Sequence, residues 1–141
     1  GQLGIIALPG CEELAKKIDS YLVKWRKERE SEHKGTIQFN GYERDSYIID
    51  ASFPRFGTGE AKAVINESVR SHDIYIIADV FNYGVSYKMY GMTVPMSPDD
   101  HFQDLKRLIS IGWKISKIGV YQDKFGGDTK YQHIIVKNVE K

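Results

Sequence analysis

The chain has 141 residues and a formal net charge of +1, from 20 basic and 19 acidic residues. That length fits one domain over residues 1–141 with a sizeable core, and the near-zero charge implies no strongly basic surface and gives no push toward nucleic acid or an anionic membrane. The apolar runs are too short to span a bilayer, no signal-peptide pattern opens the chain, and the single cysteine, Cys11, has no internal disulfide partner, so a cytoplasmic protein is expected.

In chain order, "LGIIALPG" (3–10) predicts a buried strand that ends in a Pro-Gly turn. Residues 11–30 predict an amphipathic helix, because Leu14, Ile18, Tyr21, Leu22 and Trp25 recur at i, i+3 and i+4 and form one apolar stripe. Glu12 and Glu13 in its first turn, and Lys24, Arg26 and Lys27 toward its end, suit the helix dipole. Cys11 reads as a small residue near the helix start. His33, in the polar turn 31–35, reads as solvated. Residues 36–53 hold two short strand patterns around Asn40-Gly41, a hairpin signal. A loop over 54–60 follows, with Pro54, Gly57 and Gly59. "AKAVI" (61–65) and "DIYIIADV" (73–80) predict strands, the second apolar almost throughout, as in a parallel sheet covered on both faces.

Residues 96–112 predict a helix with Ser97 as N-cap, Pro98 at the first helical position and Asp100 as the capping-box acid. Phe102, Leu105, Leu108 and Ile109 form its expected buried stripe, and Gly112 its end. Asp99 and Asp100 read as first-turn acids facing the dipole rather than as a metal pair. Strands over 114–122 and 131–139 flank a turn at 124–130. The order predicts an α/β fold, a mostly parallel sheet flanked by helices.

No nucleophile elbow, Walker loop, dinucleotide fingerprint or zinc spacing is present, so no catalytic or metal-binding residue is singled out. "GIIALPGCEEL" places a strand, a glycine and a helix start in series, which fits an anion site or a plain strand–turn–helix. In the turn "NESVRSHD", Ser68 can donate a hydroxyl and Arg70 a bidentate fork to phosphate, with Asn66 and His72 nearby. A solvated turn fits the same residues. In the preceding loop, Phe56 can stack on a planar ring while Thr58 and Glu60 hydrogen-bond a base edge. A purely structural loop is the other reading. Tyr75, Tyr83, Tyr87 and Tyr90 read as core and sheet-edge residues.

Three blocks arrive in an order that resembles the amino-terminal half of the ribose-phosphate diphosphokinases (phosphoribosyl pyrophosphate synthetases), over residues 3 to about 120. "GIIALPGCEELAKKIDSYL" is similar to that family's opening strand, Gly turn and helix. "RFGTGEAKAVINESVRSHDIYII" is similar to its "RFSDGE…INESVRG-DV-II" block, the most specific part. "PDDHFQDLKRLI" is similar to its "NDNLMELL" helix, and the "MSPDDH" start matches a longer, divergent bacterial branch. The resemblance implies a phosphoribosyltransferase-like three-layer sandwich. It implies that Phe56, Thr58 and Glu60 contact the adenine of ATP across a subunit boundary, with Thr58 where the family has an amide or acid. It implies that Ser68 and Arg70 line a regulatory phosphate or ADP site.

The resemblance further implies ATP and Mg2+ as substrate and cofactor, and a homo-oligomer or an association with a full-length synthetase. "YQDK" (121–124) is a shortened form of the family's "YARQDRK", without the arginine, and 121–141 has no family counterpart. The family's metal-binding and ribose-phosphate motifs do not occur in this sequence. The expectation is therefore an amino-terminal domain of such a synthetase, catalytically incomplete alone. The alternative is a non-catalytic module that senses phosphate or nucleotide, or regulates a synthetase.

Overall fold

The computed structural model describes residues 1–32 and 44–111, and the backbone of two further strands over 114–122 and 132–139. In chain order the elements are β1 (Gln2–Ala7), α1 (Glu12–Ser31), β2 (Ala51–Ser52), β3 (Val64–Ile65), β4 (His72–Asp79), β5 (Ser86–Met89), β6 (Met92–Pro95), α2 (Pro98–Ser110), β7 (Lys114–Gln122) and β8 (Gln132–Val139). The expected hairpin at Asn40-Gly41, and the readings of His33, Gly112 and the turn 124–130, lie outside the described residues.

The main sheet runs β1-β4-β8-β7. β1 and β4 pair in parallel from Gln2↔His72 to Ala7↔Ile77, and the segment leading to β2 adds a parallel bridge at Ile5↔Ile48. The other half departs from the mostly parallel expectation: β4–β8 and β8–β7 are antiparallel. Chain length explains the β8–β7 pair, since 123–131 is shorter than the dozen or more residues that a parallel crossover needs. The result is a mixed α/β sheet with a parallel pair and helices, compatible with a phosphoribosyltransferase-like domain.

Alternation along β1 and β4 sorts the core into two clusters. Ile6, Ile74, Ile76 and Ala78 pack with Leu105 and Leu108 of α2. Ile5 and Ile77 pack with Cys11, Ala15 and Tyr47, against which Leu14, Ile18, Leu22 and Val23 of α1 also lie. Close approach is needed where β1 passes Ile49: a Cβ at Gly4 would sit 2.8 Å from Ile74 Cδ1 and 2.9 Å from Ile49 Cγ1.

The apolar stripe of α1 needs correction at one end. Tyr21 and Trp25 are 56% and 55% exposed, with ring centroids 5.9 Å apart. Leu22 and Val23 still pack on the core beyond Tyr21, so Tyr21 and, one turn later, Trp25 lie off the buried face of α1 rather than on it. The inward face also holds an acid. Asp19 is buried and accepts from the Tyr47 amide (2.6 Å) and the Ser46 hydroxyl (2.8 Å), tying α1 to the segment that joins the sheet at Ile48.

α2 starts as its sequence spells. Ser97 Oγ accepts from the Asp100 amide (3.1 Å) and the Asp100 carboxylate accepts from the Ser97 amide (2.9 Å), with Pro98 in the first turn. Its buried face is shifted from the expectation: Phe102 is exposed, whereas His101 and Asp104 are buried beside Leu105 and Leu108. Both polar groups have partners, His101 Nε2 lying 2.6 Å from the Asn82 carbonyl and Asp104 meeting two arginines.

Candidate functional site

The loop between β2 and β3 folds back on itself. Arg55 bridges Ala61, the Phe56 amide donates to the Glu60 carbonyl (2.8 Å) and the Gly59 amide to the Phe56 carbonyl (2.9 Å). Gly59 has φ of 90°, and a Cβ there would lie 2.7 Å from Met89 Sδ, so both backbone and space call for glycine. Phe56, Thr58 and Glu60 all point outward; Phe56 is 48% exposed. Thr58 and Glu60 have no side-chain hydrogen bond or ion pair with another described residue.

Arg55 holds this loop from beneath. Its side chain is only 11% exposed. Nη2 lies 3.4 Å from both carboxylate oxygens of Asp104, Nη1 lies 3.8 Å from Asp100 Oδ1, and the guanidinium covers the Tyr87 ring. Arg107 adds a 2.8 Å contact to Asp104 Oδ1. Burial raises the Asp104 carboxyl above its ordinary 3.8, opposed by the charges of Arg55 and Arg107.

Tyr87 belongs to a hairpin that the sequence reading missed. β5 and β6 pair through Met89↔Met92, leaving Tyr90-Gly91 as a two-residue turn. Both turn residues have positive φ, 49° and 79°, as a type I′ turn requires. The signal was a glycine between two short alternating runs. Tyr90 is therefore a turn-tip residue, 73% exposed, and not core; Tyr83 is exposed as well. The Tyr90 amide donates to the Gly57 carbonyl at 2.8 Å, which docks the hairpin tip on the loop.

The second polar group caps the other end of the parallel pair. Val69 is anchored against the core, the Asn66 amide donates to the Asp50 carbonyl (2.8 Å), and the His72 amide to the Val69 carbonyl (3.2 Å). The Gln2 amide donates to the Ser71 carbonyl (3.0 Å), which fixes the turn to the start of β1. Ser68 and Arg70 are exposed, and neither side chain bonds or pairs with another described residue. Among the described residues no hydrogen bond or ion pair joins this turn to Phe56, Thr58 or Glu60.

A scan of family models finds the N-terminal domain of ribose phosphate pyrophosphokinase over residues 3–113. The chain belongs to this family. No curated protein and no solved structure matches it. The ribose phosphate pyrophosphokinase match ends before β7, so the antiparallel pair β7–β8 follows the matched region.

Other features of this pyrophosphokinase domain resolve in favour of structure. At "GIIALPGCEEL" the Gly10 amide already donates to Glu12 Oε2 (2.9 Å), and Asn82 Nδ2 lies 3.4 Å from the Gly10 carbonyl. The turn thus holds its own carboxylate and acts as a strand–turn–helix joint. Cys11 is buried, and desolvation, then the Asp79 charge, pushes its thiol up to about 12, so it is not a nucleophile at neutral pH. A groove of about 650 Å³ along α1, lined by Asp19, Val23, Lys24, Lys27, Glu28 and Asp45 among others, touches neither polar group. Among the described residues no three His, Cys, Asp or Glu side chains gather to hold a metal ion. No described helix is long and apolar enough to cross a membrane.

Proposed function

We propose that this domain is the nucleotide-contact, regulatory and assembly part of a cytoplasmic ribose-phosphate diphosphokinase. Such an enzyme makes phosphoribosyl pyrophosphate from ATP and ribose 5-phosphate. The observation that carries the reading is the loop 55–61: Arg55 is locked inward while Phe56, Thr58 and Glu60 face away from their own domain without partners. A rigid backbone with an unpaired aromatic face and two polar side chains can bind a purine, Phe56 stacking on the ring and Glu60 and Thr58 accepting from or donating to its edge. By the family resemblance this loop reaches across a subunit boundary, so a homo-oligomer, or a complex with a full-length synthetase, is the proposed working form.

Pyrophosphoryl transfer also needs a sugar-phosphate cradle and charge stabilisation on the moving group. Magnesium, when bound, neutralises phosphate charge. The sequence does not carry the family's metal-binding and ribose-phosphate motifs, so the domain is read as catalytically incomplete by itself. Incubation with ATP, magnesium and ribose 5-phosphate should yield no AMP from the isolated chain; AMP formation would overturn this. ATP should nevertheless bind in equilibrium dialysis, and Phe56→Ala should weaken it by about tenfold, the value of a lost base–aromatic stack, with little change in stability because the side chain is half-exposed.

A second reading, a non-catalytic module that senses phosphate or nucleotide, is favoured by one observation: Ser68 and Arg70 stand exposed and unpaired on a fixed turn. It is distinguished by phosphate binding that changes assembly without any turnover in the complete enzyme.

A further inference from the structure

We infer that Arg44 is a second phosphoryl-binding residue of the turn 66–72, placed there by His72; this rests on the reading of that turn as an anion site. His72 Nδ1 lies 3.0 Å from the Arg70 carbonyl. A carbonyl only accepts, so Nδ1 carries the proton of that contact and Nε2 is left as an acceptor. Arg44 Nη1 faces Nε2 at 3.4 Å and donates to it. One imidazole therefore spans two arginine residues that are 26 positions apart in sequence, contacting the backbone of one and the side chain of the other.

Only one of the guanidinium N–H groups of Arg44 is used by this contact, and the Arg70 guanidinium has no partner among the described residues. Neither arginine forms an ion pair with another described residue. Of the acids close by in sequence, Asp73 lies 3.1 Å from the Gly1 nitrogen, and Asp45 and Glu67 pair with neither arginine. Two guanidinium forks with no acidic partner among the described residues, and the Ser68 hydroxyl, on one corner of the sheet suit a phosphoryl dianion. Such a group accepts several charge-assisted hydrogen bonds at once. It could be free phosphate or the terminal group of a nucleotide. His72 is a positioning residue, acting through Arg44.

Calorimetric titration of the whole chain with inorganic phosphate, ADP and adenosine tests this. In the Phe56→Ala background, which removes the base stack, phosphate and ADP should still bind and adenosine should be silent; ADP alone binding there would assign the phosphoryl group to a nucleotide, and phosphate binding equally well would assign it to the free anion. Arg44→Ala should weaken binding about tenfold, the scale of one charge-assisted contact. Arg44→Gln keeps an N–H for the imidazole and the fold but removes the charge, and should show the same loss. His72→Phe should weaken phosphate several-fold while leaving ATP binding at Phe56 unchanged, a split that general damage to the fold does not produce. If wild-type chain binds neither phosphate nor ADP, the anion reading of the turn and this inference both fall. If Arg70→Ala abolishes binding and both Arg44 variants retain it, the turn keeps its role and the inference alone is refuted.

Discussion

The Arg55 guanidinium carbon lies 4.4 Å from the centroid of the Tyr87 ring, so one arginine joins the hairpin to the loop that carries Phe56. On its other side the same group meets Asp104 and Asp100 of α2. Three separately folded pieces thus share one side chain, and the outward set of the loop depends on it.

A lysine cannot reproduce a planar stack together with a fork to two carboxylates. Arg55→Lys should cost about 1–2 kcal/mol of stability and lower ATP affinity several-fold in equilibrium dialysis. Phosphate binding at the turn 66–72 should not change, since among the described residues the two regions share no hydrogen bond or ion pair.

Asp104 is 1% exposed and holds both Arg55 and Arg107. Asp104→Ala leaves Arg55 buried without its main partner, whereas Arg107 is 30% exposed and can turn to water. The expected loss is about 3 kcal/mol, the lower end for breaking a buried pair, read from urea denaturation. A loss under half that size would show that the network only decorates the packing.

Ser71 holds a φ of 62°, in the left-handed region that costs a non-glycine residue energy. Glycine relieves that strain but has a larger entropy loss on folding. The balance favours Ser71→Gly by about 0.5–1 kcal/mol, measured as a higher urea midpoint with an unchanged slope.

The Cys11 thiol, raised from 9.0 to about 12 by burial and then by the Asp79 charge, sets an alkaline dependence. A group whose folded value lies above its unfolded one contributes fully below the unfolded value, and the contribution is lost as pH rises through the folded value. Stability should therefore hold up to about pH 9 and decline toward 12, as the unfolded chain ionises and the folded one does not. The stability difference between wild type and Cys11→Ala should shrink over that window. Alkylation of the native protein by iodoacetamide at pH 8 should be slow; rapid modification would contradict the burial.

Legibility in the sequence followed the range of each signal. The capping box of α2 is spelled by Ser97, Pro98 and Asp100 within four positions and forms as written. Apolar content marked β1 and β4, and the block around Phe56 and Arg70 carried the family assignment that the 3–113 match bears out. Tyr21, Trp25 and Phe102 were misjudged because periodicity shows an apolar face but not which of its residues meet the core. The β5–β6 hairpin went unseen because Tyr90, rather than asparagine or aspartate, precedes its turn glycine.

From the sequence alone came the family, the α/β class, both helices and the exposed polar residues, since each depends on neighbours a few positions away. Only tertiary structure decided that Arg55 meets Asp104 across 49 positions, that His72 brings Arg44 to the Arg70 turn, and that the sheet ends in an antiparallel pair. These contacts are set by how strands align and helices pack across the sheet, which no local pattern encodes.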